Sequence, residues 1–395
     1  MPTPTYCPNP RCRHHGRPRG SWYHHFGSYE TAAHGTVQRY QCTHCGKTFG
    51  DQTESLHYYA KRRLPLRAIW ITLAGGASVR EVSHRYRTTP MAVQSAVLRL
   101  GRQAMAGQAW LLHHLEPRRY VCFDGLRSFV TAQDYPCDIT TVVDRPGETI
   151  LTMVNTVMLR GGTMTPRQRT RFEAKKLVWR PRRGIFKNDI TRLLSEIWSY
   201  LRPTAEQLAI IATDEHPLYR SVINRNAIVA HFRRREMFAH LRTAGSAART
   251  PANRLFPVNY VDRMMRHRVK EHMRETIAGG RHAALQMHRA WLFAWELNAR
   301  RPWRVRQPAE GLHATHSSRT YAAAVAAAVP SRIQREFFTR RIRLYGCHMP
   351  ETMRQVWRAE LPTPPLRWRK PQKGTTVVIP LYAIRDLAQA NPQAS

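Results

Sequence analysis

Two carboxylates stand where apolar runs stop. Tyr120-Val-Cys-Phe123 ends on Asp124, and Leu208 to Ala212 ends at Asp214, after which a short segment takes up helical spacing. Only 26 of the 395 residues are Asp or Glu, against 63 Lys and Arg, so acids at the mouths of two buried strands stand out. Carboxylates delivered by two strands of one sheet can hold divalent ions over a phosphodiester, activating one oxygen and stabilising another. A third acid should come from the helix after the fifth strand, where Asp262, Glu271 and Glu275 are candidates. Each acid also has a plainer role. Asp124 precedes Gly125 and suits a turn, Asp214 suits a helix cap, and Glu275 suits an ion pair with nearby arginines. As an ordered set in a chain of net charge +37 they point to catalysis.

A second group lies at the start. Cys7-x4-Cys12 and Cys42-x2-Cys45, the latter inside YQCTHCGKTF, supply four thiolates, which is what a tetrahedral Zn²⁺ needs. Gly46 fits the tight knuckle after the second pair, and SWYHHFGSYE and TVQRYQC alternate like ribbon strands. The spacing predicts a structural zinc ribbon over 1–55, with His14, His15, His24, His25, His34 and His44 as competing ligands nearby. Seven cysteines, four of them within the first 45 residues, do not read as a disulfide framework.

Charge of +37 and a pI near 11.2 imply a polyanionic partner, most commonly nucleic acid. Ten Trp and 42% hydrophobic residues set the chain apart from short, basic, core-poor proteins. No apolar segment opens the chain and the run Ala322 to Val329 is too short to span a bilayer, so a soluble, cytoplasmic, nucleoid-associated protein is expected.

These groups need elements to carry them. Residues 60–112 predict three short helices: Leu66 to Leu73 before Gly75-Gly76, Val79 to Tyr86 opened by the capping box Ser78-Val-Arg-Glu81, and one opened by Thr89-Pro90. That triplet reads as a helix-turn-helix, with Gln94, Ser95, Arg99 and Arg102 on the face available to DNA. Residues 118–300 read as strands at 120–123, 139–145 and 148–159, a mobile or DNA-bound basic insertion at 160–185, a helix at 186–201, and a strand at 207–213. A short helix, a fifth strand at 227–232 and one long helix from Val258 to Gly280 follow. Three meandering strands, then helix, strand, helix, strand, is the order of an RNase H-like core, so the expected class is multidomain α/β. Residues 301–395 read as helical and basic, with an Ala-rich helix at 320–328 and a helix at 331–344.

At YQCTHCGKTF, Asp124-Gly-Leu-Arg-Ser-Phe129, ATDEHPLYR and LFPVNYVDRMMRHRVKEHMRETIAGGR, the chain resembles DDE transposases of bacterial insertion sequences that carry a zinc ribbon and a helix-turn-helix. The resemblance covers most of residues 1–300. It implies Mg²⁺ (or Mn²⁺)-dependent cleavage and strand transfer at transposon ends, by a homodimer or higher oligomer bound to double-stranded DNA. Periodicity does not separate Glu271 from Glu275, which are four apart; the phrase Arg274-Glu275-Thr276 matches the family's catalytic helix and assigns the third acid to Glu275. Two other readings stay open: an inactive or domesticated DNA-binding protein, and a structure-recognising nuclease or RNA-binding protein, the latter lacking an aromatic RNA-binding signature.

Overall fold

The computed structural model describes residues 4–115, 118–146, 148–201, 203, 206–273, 280–300, 335–344 and 346–365, and the backbone of 367–372 and 375–380. Near the N-terminus a single turn, α1 (Arg13–Gly16), precedes a three-stranded antiparallel sheet of β1 (Tyr23–Thr31), β2 (Gly35–Cys42) and β3 (Thr48–Gly50). Its small core is Trp22, Tyr40 and Phe49 beside the cysteines, with the Trp22 and Phe49 rings stacked 5.6 Å apart.

Three helices follow: α2 (Leu66–Ala74), α3 (Val79–Arg85) and α4 (Pro90–His114). Ser78 and Glu81 cap α3 reciprocally, and Thr89 Oγ1 accepts from the Ala92 amide at 3.2 Å ahead of Pro90 at the first turn of α4. These caps satisfy amides that have no intrahelical partner. At 25 residues α4 runs well past the helical triplet and lies against α10 (Ala283–Trp295). Two glycines allow the approach. A Cβ on Gly101 would lie 2.5 Å from His288 Nδ1, and one on Gly107 would lie 2.7 Å from the Trp295 ring. Gly107→Ala should gain about 1 kcal/mol of helix propensity but lose roughly 1–3 kcal/mol to overpacking against a rigid indole. Its denaturation midpoint should therefore fall; an unchanged or raised midpoint would contradict this packing.

The central sheet has five strands in the order β6-β5-β4-β7-β8. β4 (Tyr120–Phe129), β5 (Pro136–Asp144) and β6 (Thr149–Val157) form an antiparallel meander. β7 (Ala209–Asp214) runs parallel to β4, and β8 (Phe238–Thr243) parallel to β7. Alternation sends Val121, Phe123 and Ile211 to one side, with Leu193, Ile197 and Tyr219 of α6 (Ile185–Leu201) and α7 (Pro217–Arg225). Cys122, Leu126 and Ala212 go to the other, with Val258 and Val261 of α9 (Phe256–Arg268) and Met287 and Trp291 of α10. The sheet is thus covered on both faces, as strands apolar on both sides require.

Besides the length of α4 and a strand pair, 367–372 with 375–380, where a helical region was expected, the structure departs from the sequence expectations in five places. β4 continues to Phe129, so Asp124 lies mid-strand; only the parallel ladder to β7 stops near it. The basic stretch 160–185 contains a capped helix, α5 (Pro166–Val178), anchored through the buried Asp134, which binds Lys175 at 2.6 Å and Arg171 at 3.0 Å. Residues 227–232 lie in a helix, α8 (Ala227–Arg233), because Asn226 Oδ1 caps the amides of Ile228 and Val229; the fifth strand is Phe238–Thr243. The long helix expected from Val258 stops at Arg268, and Val269 is extended before a 3₁₀ turn at Lys270–His272. Residues 337–344 run as turns and irregular backbone against α4, where Gln103 donates to the carbonyls of Phe337 and Arg340. The Ala-rich stretch 320–328 lies outside the described residues. Further on come α11 (Glu351–Arg358) and a hairpin of β9 (Arg367–Gln372) and β10 (Thr375–Pro380). No described helix is long and apolar enough to cross a membrane.

Candidate active site and metal centre

The four N-terminal cysteines meet. Their Sγ atoms all lie within 4.8 Å of one another, with Cys7–Cys45 at 3.5 Å and Cys12–Cys42 at 3.7 Å. Four thiolates bound to zinc at about 2.3 Å would stand about 3.8 Å apart, so the set fits a structural Zn²⁺. Gly46, at φ +67°, donates its amide to the Cys42 carbonyl at 3.0 Å, and the His14 amide points at Cys12 Sγ at 3.4 Å. Burial pushes the Cys7 and Cys12 thiols up, a cost a divalent cation would remove by taking the place of their protons. Among the competing histidines, His15 Nδ1 contacts the Cys7 carbonyl oxygen at 2.7 Å, and His44 Nδ1 lies 3.5 Å from Cys12 Sγ without joining the four.

The acids lie on the five-stranded sheet and the helix packed on it. β4 and β7 pair in parallel with Cys122 opposite Ala212, and two further steps along each strand bring Asp124 level with Asp214. Both share the parity of Cys122 and Ala212, so both belong to the side of the sheet that α9 and α10 cover. Asp124 Oδ1 accepts from the Gly125 amide at 2.7 Å, and Asp214 Oδ1 from the His216 amide at 2.9 Å. Asp262 comes from α9, which packs on β4 and β5. Its Oδ1 is shut off from solvent and has no hydrogen-bond partner among the described residues.

The electrostatics reflect this convergence. Burial, followed by the charges of Asp214 and Asp138, pushes the Asp124 carboxyl up to about 6. Burial, then Asp124, drives the Asp262 carboxyl well above the ordinary range, with Arg266 and Arg249 opposing. Repelling carboxylates with an orphaned oxygen suit a divalent cation. The trio is looser than the cysteines: among the described residues, only the cysteines form a group of three or more ligand atoms within 4.8 Å.

Asp138 was not anticipated. It shares the parity of Val142, on the α6 and α7 face, behind the acid pair. There it accepts from Thr140 Oγ1 at 2.7 Å and pairs with Arg127 at 3.2 Å. Its carboxylate occupies the space a side chain on Gly125 would need. A lone acid inside the apolar run PCDITTVV was the available signal. Gly125→Ala should cost roughly 1–3 kcal/mol by displacing Asp138, read as a lower thermal midpoint; wild-type stability would contradict that contact.

The remaining expected residues divide. Glu275 lies outside the described residues. Glu271 is held by the buried Arg289 at 2.7 Å. Arg99 donates to the carbonyls of Leu56 and Tyr58, and Arg102 to that of Trp357, so both guanidiniums are engaged within the chain. Ser95 is exposed, and Gln94 is half-buried at a cavity it lines with Ser78, Arg80 and Arg281. No family model matches the chain, and no curated protein matches it.

Proposed function

We propose that the chain is a DDE-type DNA transposase, binding transposon-end repeats and catalysing Mg²⁺-dependent cleavage and strand transfer. The observation that carries the reading is the placement of Asp124 and Asp214 on adjacent parallel strands, with Asp262 of α9 beside Asp124. The strand order, three antiparallel strands then two parallel ones, supports an RNase H-like core. The four-cysteine cluster supports a zinc ribbon, and α2 to α4 a helix-turn-helix, both acting on double-stranded DNA; an oligomer on paired ends belongs to the same proposal.

In this reading Asp124 and Asp214 hold divalent cations, with a further carboxylate from the segment after β8. Bound there, such ions polarise the scissile phosphate and supply charge stabilisation to the oxygens that attack and leave. Asp138 and Gly125 position the Asp124 backbone from the opposite face. Arg249 acts electrostatically on both Asp124 and Asp262, where it can offset the charge of the acids or meet a phosphate.

The third acid is open to direct test. Glu275→Gln, at the position the resemblance assigns, should stop cleavage while leaving DNA binding intact. Asp262→Asn should lower cleavage at least about tenfold, since it removes a carboxylate beside Asp124. Glu271→Gln should keep most of the activity but unfold at lower denaturant, because it weakens the partner of a buried guanidinium. A strand-cleavage assay on DNA carrying the sequences that flank the coding region reads all three. Loss of cleavage in Glu271→Gln alone would overturn this placement of the site. Wild-type protein that binds those ends yet never cuts them would favour the non-catalytic DNA-binding reading.

A further inference from the structure

We infer that the groove between the β1–β2 hairpin and the α3–α4 turn binds the sugar-phosphate backbone of duplex DNA, so that the cysteine module and the helices grip one duplex together. The inference rests on the reading as a DNA-binding protein, but not on catalysis.

A cavity of about 500 Å³ separates the hairpin tip at Ala32 and Ala33 from Tyr86 and Thr88. Its floor carries Lys61, Arg62 and Arg63, three consecutive exposed cations, and none of its lining residues is acidic. Tyr86 Oη lies 3.3 Å from Thr72 Oγ1, which ties the wall to α2. Thr88 completes that wall. Small residues on one wall above three consecutive cations form a cradle for phosphate oxygens.

The placement favours duplex DNA over other polyanions. Thr89 caps α4 beside the groove, so the groove flanks the first turns of α4, where Met91 and Ser95 are exposed. A helix start next to a phosphate cradle suits the wide major groove of B-form DNA, whereas the major groove of duplex RNA is too narrow to admit it. The groove also supplies what the expected contact face lacks, since Arg99 and Arg102 are bonded to carbonyls of the chain itself.

The test uses full-length, zinc-loaded protein and a fluorescent duplex of about 30 base pairs of arbitrary sequence, titrated over about 50 to 200 mM salt. The triple variant Lys61→Gln/Arg62→Gln/Arg63→Gln should lower the slope of log affinity against log salt by about 2 to 3, since each lost phosphate contact contributes about 0.9. Its affinity at the lower salt should fall on the order of 10- to 100-fold, with zinc content and thermal midpoint matching wild type. Arg99→Gln/Arg102→Gln should keep the wild-type slope. A wild-type slope in the triple variant overturns the inference, as does a slope lost in the Arg99/Arg102 pair instead, or tighter wild-type binding to duplex RNA of equal length. The slope is read without cleavage, so a protein that never cuts DNA yet loses slope in the triple variant keeps the groove and loses only the transposase reading.

Discussion

Asp124→Asn and Asp214→Asn should each reduce Mg²⁺-dependent strand cleavage on the order of a thousandfold. A bound divalent ion supplies several kcal/mol of charge stabilisation to phosphoryl chemistry, and each 1.4 kcal/mol or so is a factor of about ten. DNA binding should be retained or slightly strengthened, because a carboxylate that repels phosphate is gone. A structural role alone would predict lost stability; metal-site acids predict the reverse. Burial, then Asp214 and Asp138, raises the Asp124 carboxyl from 3.8 to about 6, so the native state holds this proton more tightly than the unfolded chain. The stability from that proton is present below pH 3.8 and is lost as pH rises through about 6. In chelator at neutral pH, Asp124→Asn should therefore melt above wild type, and near pH 4 the difference should shrink. Mg²⁺ should raise the wild-type melting temperature at neutral pH. Cleavage at the wild-type rate in either variant, or a lower melting temperature in chelator for Asp124→Asn, would contradict the assignment.

The second large effect concerns the cysteines. The purified chain should contain one zinc, and Cys42→Ser should release it. Thiolate ligation of structural zinc contributes on the order of 10 kcal/mol to small modules, far more than the stacked Trp22, Tyr40 and Phe49 could replace. The N-terminal sheet should unfold in Cys42→Ser while the five-stranded sheet keeps its own cooperative transition. The groove at Lys61 to Arg63 should be lost with it, since its far wall is the β1–β2 hairpin. Wild-type protein free of zinc, or Cys42→Ser protein that retains it, would rule this out.

Features set by one local signal are legible in the sequence. Two cysteine pairs, the Ser78–Glu81 box and the Thr89-Pro90 start each specify short-range geometry, and the structure places a thiol cluster and two capped helices there. The apolar runs ending at Asp124 and Asp214 were legible because two acids interrupt hydrophobic stretches in a basic chain. Features decided by tertiary contacts are not. AIVAHF has strand composition, yet the Asn226 cap and the packing of Phe232 on Trp198 make it helical. The helix through Asp262 looked continuous to Gly280. It breaks at Val269, and the next turn carries His272 under Ser128, where His272 Nδ1 lies 3.1 Å from Ser128 Oγ. Periodicity carries no information about a partner on a distant strand. The stretch 160–185 read as a mobile or DNA-bound insertion because the buried acid that anchors it, Asp134, lies 41 residues before Lys175.

The most direct test of the acid site is metal binding itself. Electron paramagnetic resonance of Mn²⁺, titrated into zinc-loaded full-length protein, counts divalent ions without depending on the correct DNA ends. The account predicts bound Mn²⁺ in the wild type, displaced by Mg²⁺ and lost in Asp124→Asn/Asp214→Asn. Equal Mn²⁺ binding by the double variant, or none by the wild type with or without duplex DNA, would contradict it.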